Sequence, residues 1–284
     1  MVVKIIVYFI FLLMPEVDMS DEIKQHRDLP SQEFQVALRE LFAKQNYHQF
    51  GQECEKLNNE SLVKTVNDLY LLSFYSHDDD ISDFYHKCFL SIENPEKSMV
   101  TDAFNIAINK RDIYTAKKLK MKYQQYQLPN PPDIIQKEID DKKKKVLSIN
   151  KEKHNVFFQD EFEFSDGAEI VVFFDPKCHF SNNLMKSVES NQYFKKNFSN
   201  YSTWIQVPNA SLSYDSLLAW KLKHPSFKVV SAANRTDFKA FDLRAIPVIY
   251  FMEDGKVMKE IRGWPQEGRG EELEQAIKKT FKEN

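Results

Sequence analysis

The hydrophobic periodicity of the chain changes near residue 127, and this change excludes a single uniform architecture. Over residues 31–126, apolar side chains recur every three to four positions, as they do on the buried faces of amphipathic helices. After that point, short runs of branched and aromatic residues, such as residues 170–174, indicate buried strands. The chain has 284 residues, so at one domain per ~150 residues we expect about two domains.

The amino-terminal pattern predicts six helices that pair into three helical hairpins. The hairpins begin near residues 31, 62 and 98, a spacing of about 33 residues that is typical of stacked helix-turn-helix repeats. At two of the hairpin turns, Lys44-Gln45-Asn46-Tyr47 and Lys110-Arg111-Asp112-Ile113 resemble the polar-then-aromatic turns of tetratricopeptide-type repeats. A generic helical bundle is the alternative. The resemblance implies protein–protein contacts through the helical domain.

The overall charge argues against a nucleic-acid partner. There are 39 basic and 42 acidic residues, which give a net charge of -3, so no global positive field attracts a phosphate backbone. Three cysteines are too few for a disulfide-dense scaffold, and their dispersed positions supply no metal-ligand spacing. We therefore expect neither a metal site nor a nucleic-acid-binding surface.

Two of the three cysteines fall on apolar helical faces. Cys54 and Cys88 lie on the second helices of successive predicted hairpins. This placement favours buried free thiols. A disulfide between them is the alternative if the protein is exported to an oxidising compartment.

The amino terminus resembles a secretory signal. Lys4 precedes ten apolar residues, 5–14, which would span only ~15 Å as a helix and so are too short to cross a bilayer. Residues 15–20 offer no small-x-small cleavage site. We interpret residues 1–20 as a signal peptide or membrane-proximal segment and expect a periplasmic or secreted protein. If translation starts at Met19, the protein is cytoplasmic instead.

The remaining boundaries follow from composition. We assign residues 21–127 to the helical-hairpin domain and residues 128–149 to a linker. The linker is stiffened by prolines at its start and contains a lysine run, residues 142–145, on a predicted linking helix. Residues 150–284 show strand, helix, strand, a helical stretch at 210–227, then a strand hairpin and a closing helix. The predicted fold class is thus α+β, with an all-α domain followed by a layered α/β domain.

The third cysteine lies where its chemistry is favoured. The apolar strand at residues 170–174 is followed by a short loop and then by Cys178, His179, Phe180 and Ser181 at the start of a helix. Free amide groups and the helix dipole stabilise a thiolate at such a position. The neighbouring Lys177 adds positive charge. Cys178 is therefore the candidate nucleophile.

These features together resemble the thioredoxin superfamily over residues 150–284. The resemblance is carried by the strand before Cys178, the Ile246-Pro247 dipeptide before a strand hairpin, the Asp254-Gly255 turn and the closing helix. Residues 173–176 are more similar to the exported thiol-disulfide branch than to cytosolic thioredoxins. The resemblance implies that Pro247 is a cis proline facing Cys178, and that a client peptide binds beside Ile246, Pro247 and His179.

The departures from the family pattern limit the expected chemistry. Ser181 stands where the family has its second cysteine, so Cys178 can form a mixed disulfide but lacks a resolving thiol. Ser181 is expected to donate a hydrogen bond to the Cys178 thiolate. Val172 stands where many thioredoxins bury an acidic proton acceptor.

Two functions remain open at this point. The first is a monothiol protein, with Cys178 and Ser181 as its catalytic residues, that forms mixed disulfides with a client protein or peptide in thiol-disulfide exchange. The second is a non-catalytic thioredoxin-fold scaffold that binds a protein or peptide. We expect no cofactor. Glutathione or a shared iron-sulfur cluster, as in monothiol glutaredoxins, is the alternative, although His179 replaces their glycine.

Overall fold

The computed structural model describes residues 18–45, 54–76, 78–140 and 142–282. The chain divides into two compact units, Met1–Pro95 and Glu96–Asn284. The apolar run of the predicted amino-terminal segment and Asn46-Tyr47 of the first predicted hairpin turn lie outside the described residues. None of the helices in the described residues is long and apolar enough to cross a bilayer.

The first unit is helical. Its described elements are α1 (Met19–Gln25), α2 (Ser31–Lys44), a 3-10 turn (Cys54–Lys56), α3 (Asn59–Ser76) and α4 (Asp79–Leu90). Helix α4 begins as its acidic start predicts, because the Asp78 side chain accepts hydrogen bonds from the amides of Asp80 and Ile81. Helices α3 and α4 pack as a hairpin around buried Leu69, Leu72 and Phe89.

Cys54 and Cys88 form a disulfide within this unit, with their Cα atoms 5.2 Å apart. The sequence favoured buried free thiols, with the disulfide as the alternative. Both side chains are buried, as expected. Their pairing could not be predicted from the sequence. Helix periodicity indicates which face of a helix a cysteine lies on, but it does not indicate which residue of another element faces it.

The second unit contains two helices followed by a sheet with flanking helices. The helices are α5 (Lys97–Lys110), α6 (Ile113–Lys122), α7 (His179–Ser190), α8 (Gln192–Tyr201), α9 (Tyr214–Lys223) and α10 (Gly270–Phe281). The strands are β1 (Asp133–Ile135), β2 (Lys144–Ile149), β3 (Val156–Phe162), β4 (Ala168–Phe174), β5 (Ser202–Gln206), β6 (Lys228–Ala232), β7 (Val248–Glu253) and β8 (Lys256–Arg262).

The strand order in the sheet is β1-β3-β2-β6-β5-β4-β7-β8. Strand β4 runs parallel to β5 and antiparallel to β7, and β8 closes the antiparallel hairpin with β7. A central strand that leads into a helix, a parallel neighbour, and an antiparallel hairpin followed by a closing helix make a thioredoxin fold. The predicted fold class, a helical region followed by a thioredoxin fold, is confirmed.

The compact units divide elsewhere than the predicted domain boundary at residue 127. Helices α5 and α6 belong to the same unit as the sheet. Arg111, between these helices, donates hydrogen bonds to the carbonyl oxygens of Ala210 and Ala232 at 2.8 and 3.3 Å. The buried Arg111 guanidinium therefore joins this helical hairpin to the sheet.

The predicted linker at residues 128–149 is part of the sheet in the structure. Strand β1 pairs with β3, and β2 pairs with both β3 and β6. The linking helix expected for the lysine run is wrong, because Lys144 and Lys145 begin β2 and Val146, Leu147 and Ile149 are buried in the sheet. The lysine run resembles a solvated helix face, whereas β2 pairs with the adjacent strand β3 and with the distant strand β6.

Candidate functional site

Strand β4 delivers Cys178 to the amino terminus of α7. Cys178 is the N-cap residue, with an extended backbone (φ -78°, ψ 123°), and its amide donates to the Asp175 carbonyl at 3.0 Å. Its carbonyl accepts the first hydrogen bond of the helix, from the Asn182 amide at 3.1 Å. The thiol is free and partly exposed, so it lies beside unpaired helix amides and remains accessible to a reactant.

The structure brings Cys178 together with the loop before β7. The Ile246-Pro247 peptide bond is cis, and the Cys178 Sγ lies 3.8 Å from the Ile246 carbonyl oxygen. Pro247 is buried, and its carbonyl accepts a 2.7 Å hydrogen bond from the Gly263 amide. The proline is thus fixed to the end of β8, and the carbonyl before it faces the sulfur.

Ser181 lies one turn into α7 and is fully buried. Its Oγ accepts a 3.3 Å hydrogen bond from the Asp175 amide. Across the described residues, the expected hydrogen bond from Ser181 to the Cys178 sulfur is not formed. The hydroxyl instead holds the start of the loop that carries Cys178.

The exposed side chains beside Cys178 are aromatic and basic. His179 and Phe180 have ring centroids 3.8 Å apart, and Phe180 is 41% exposed. Lys177 is exposed as well. An exposed apolar ring therefore lies next to the accessible thiol.

The rest of α7 is anchored to the domain. The Trp264 Nε1 donates to the Ser187 Oγ at 2.9 Å, and Leu184, Met185 and Val188 are buried. In the strand beneath, Val172 pairs with Trp204 and Ile249 and is fully buried. This part of β4 is apolar, so the cysteine is supported by packing.

A polar network that the sequence analysis missed supports the proline loop. The Asp242 carboxylate lies 3.0 Å from Arg244 and 2.9 Å from Arg262. Burial alone would raise the pKa of Asp242, but the hydrogen bonds from Arg244 and the charges of Arg262 and Arg244 hold it below its ordinary value. The Tyr250 hydroxyl binds the Asp242 backbone, accepting from its amide and donating to its carbonyl.

This network predicts a pH-dependent contribution to stability. A carboxyl group with a lowered native pKa stabilises the fold above its unfolded pKa of ~3.9, and the contribution is lost as the pH falls through the native pKa. We expect Asp242→Asn to lower the free energy of unfolding by about 1–2 kcal/mol at pH 7 and by much less at pH 2. Denaturant unfolding followed by tryptophan fluorescence at both pH values measures this.

Tyr250→Phe is the matched control for that experiment. Burial raises the pKa of Tyr250 to about 12, so its hydroxyl is neutral at pH 2 and at pH 7. Its loss should cost the same free energy of unfolding at both pH values. Equal effects of Asp242→Asn at pH 2 and pH 7 would contradict a role for the carboxylate charge.

The described part of the chain brings together no group of three or more side chains of metal-ligand type. No known family model matches the chain, and no curated protein matches it.

Several solved structures are similar to part of the chain. One is a putative thioredoxin from Neisseria meningitidis, to which the chain is similar at 18% identity over 50% of this chain and 91% of that one, with a TM-score of 0.36. Another is an uncharacterised thioredoxin-like protein from Porphyromonas gingivalis, at 16% identity over 49% and 91%, with a TM-score of 0.34. A third is a secreted disulfide oxidoreductase from Mycobacterium tuberculosis, at 13% identity over 41% and 87%, with a TM-score of 0.31. The assignment of the fold rests on the strand order and connections described above.

Proposed function

We propose that this thioredoxin-fold protein is a monothiol thiol-disulfide exchange protein that acts on disulfides of a client protein or peptide. The observation that carries the proposal is the position of Cys178, a partly exposed free thiol at the amino terminus of α7 and 3.8 Å from the carbonyl before cis Pro247. Its sulfur is accessible to a client disulfide, and a thiolate is the nucleophile in disulfide exchange.

The exchange needs no external oxidant or reductant. The Cys178 thiolate attacks one sulfur of a client disulfide, forming a Cys178–client disulfide and releasing the other client sulfur as a thiolate. A second client thiolate then attacks the client sulfur of this mixed disulfide, forming a new client disulfide and releasing the Cys178 thiolate. The number of disulfides is unchanged, so the net reaction is a rearrangement, which suits a site with serine at position 181.

The residues around the sulfur suggest how a client is held. The Ile246 carbonyl faces the sulfur, and His179 and Phe180 offer exposed rings. We also propose that the protein works in the periplasm or outside the cell. The Cys54–Cys88 disulfide supports this, because stable disulfides form in oxidising compartments.

The alternative is a non-catalytic scaffold that binds a protein or peptide. The burial of Ser181 at the position of a resolving cysteine favours it, because a site that has lost its dithiol cycle retains the peptide-binding fold. In that case Cys178 is dispensable, and the cis proline loop and helical region supply the binding surface.

The reactivity of Cys178 separates these two functions. Because Cys54 and Cys88 are paired, the folded protein carries a single free thiol, and no cysteine needs to be removed to observe it. Because the sulfur is accessible at a helix amino terminus, we expect iodoacetamide to modify Cys178 at pH 7 faster than it modifies glutathione, with the site located by mass spectrometry.

The same sample should form a mixed disulfide with a model protein that carries non-native disulfides, detected on a non-reducing gel. Cys178→Ala is the control and should form none. A modification rate at or below that of glutathione, with no mixed disulfide, would overturn the exchange function and favour the non-catalytic scaffold.

A further inference from the structure

A groove beside the thiol leads away from it along the second unit. Its first cleft, with a volume of ≈ 340 Å³, is lined by Lys177, Asn130, His154 and Asn155. A second cleft of ≈ 440 Å³ shares Asn130, His154 and Asn155 with the first and extends to α6. Lys177 directly precedes Cys178 in the chain, so the first cleft lies next to the reactive position, and the three shared residues connect it to the second cleft.

The groove ends on a positively charged helix. Over its ten residues, α6 carries four lysines and no acidic residue, and two of them, Lys117 and Lys120, line the second cleft. Lys120 donates to the Leu128 carbonyl and has no carboxylate partner among the described residues.

The carboxylates of the groove are already engaged. Asp133 pairs with Lys117, and Asp215 pairs with His154 at 2.9 Å. Over the part of the chain that the structure describes, no carboxylate forms an ion pair with the Lys177 ammonium. The cationic groups that remain free to bind a ligand are therefore Lys177 at one end and Lys120 at the other.

We propose that this groove, defined by the two clefts from Lys177 to Lys120, binds the polypeptide segment flanking the client cysteine and selects an acidic segment. The inference rests on the proposed function and names its client class. Lys177 adjoins Cys178 in the chain, so residues flanking a client cysteine can reach the first cleft. The two clefts hold three lysines against two aspartates, and this positive excess is complementary to Asp and Glu side chains. Asn130 and Asn155 line both clefts and can form hydrogen bonds with an extended backbone.

The test uses peptides with a single cysteine activated as a 2-thiopyridyl disulfide. The Cys178 thiolate attacks the peptide sulfur, a Cys178–peptide disulfide forms, and 2-thiopyridone leaves with an absorbance that gives the rate. The peptides differ only in having four Glu, four Gln or four Lys residues beside the cysteine. At low salt we expect the Glu peptide to react about tenfold faster than the Lys peptide, with the ratio approaching one in 0.5 M NaCl.

Variants locate the effect in the groove. Lys120→Gln, which removes a lysine that has no carboxylate partner among the described residues, should reduce the Glu-to-Lys ratio to about threefold. Lys118→Gln is the matched control, because Lys118 lies on the same helix, over the Tyr114 ring, and does not line either cleft. It should leave the ratio unchanged.

Two results would overturn different statements. If the ratio is near one, or falls equally in the Lys118 control, the groove does not select the client, whatever the rate with the Gln peptide. If the Gln peptide and the small reagent 2,2′-dipyridyl disulfide react no faster with the protein than with glutathione, the exchange function itself fails.

Discussion

Replacing Ser181 by cysteine is expected to shorten the lifetime of the Cys178 mixed disulfide by at least about a hundredfold. Cys178 and Ser181 are three residues apart at the start of α7, so their side chains lie on one helix face within reach of each other. A thiol held there attacks the mixed disulfide intramolecularly, with an effective concentration far above that of a thiol in solution. The client leaves as a thiol, and a disulfide between Cys178 and the introduced sulfur at position 181 remains.

Ser181→Cys changes the side-chain volume little, so the test is not complicated by a large disturbance of the packing. Ser181 is fully buried and its hydroxyl accepts one hydrogen bond, from the Asp175 amide. Sulfur is a weak acceptor, so we expect a stability loss of about 1 kcal/mol from that bond. The measurement is the decay of a purified mixed disulfide with the 2-thiopyridyl Gln peptide, followed by release of the peptide thiol, with mass spectrometry to find the internal disulfide.

Ser181→Ala and the double variant Cys178→Ala, Ser181→Cys are the controls. The alanine variant loses the same hydrogen bond without gaining a thiol, so its mixed disulfide should persist as in the unmodified protein. The double variant should scarcely react, because a buried thiol at position 181 is inaccessible. A mixed disulfide of unchanged lifetime in Ser181→Cys would mean that position 181 does not face the sulfur of Cys178.

The sequence signals for the candidate site are local. A strand followed at once by a cysteine at a helix start, and a proline directly before a strand hairpin, are patterns of a few residues each. The structure places Cys178 and Ile246 in contact although 68 positions separate them. That contact was predictable only through the resemblance, since periodicity assigns faces and not partners.

The missed features depend on pairings between elements that periodicity does not specify. Strand β2 was assigned to a linker because its lysines read as solvated, while its partners are β3 and β6. Asp242 and Arg262 lie 20 positions apart and showed no pattern linking them. Arg111 was assigned to a hairpin turn, and its acceptors come about a hundred positions later.

Arg111→Ala is expected to lower the free energy of unfolding of the sheet unit by about 3–5 kcal/mol. The guanidinium donates to the carbonyls of Ile108, Val207, Ala210 and Ala232 and to the Ser231 Oγ. Each buried acceptor left without a donor costs about 1–3 kcal/mol. Burial lowers the pKa of Arg111 to about 9, against a raising effect of Asp175, so the side chain is still protonated and donating at pH 7.

Denaturant unfolding at pH 7 measures this loss. The chain has three tryptophans, and all of them, Trp204, Trp220 and Trp264, lie in the sheet unit. Tryptophan fluorescence therefore reports on this unit even if the two units unfold separately. Arg111→Lys retains the charge but cannot match the fork of donors, so it should lose about half as much.

The exposed Lys118→Ala on the neighbouring helix is the control and should change the free energy of unfolding by no more than about 0.5 kcal/mol. A loss below about 1 kcal/mol in Arg111→Ala would contradict the view that the guanidinium joins α5 and α6 to the sheet.

The loss of Arg111 should also affect the Cys178 site. Val207, one of the acceptors, donates its amide to the Phe174 carbonyl at 3.0 Å, and Phe174 ends the strand that carries Cys178. In Arg111→Ala, modification of Cys178 should therefore no longer follow a single rate, because the strand end that positions the thiol loses its support.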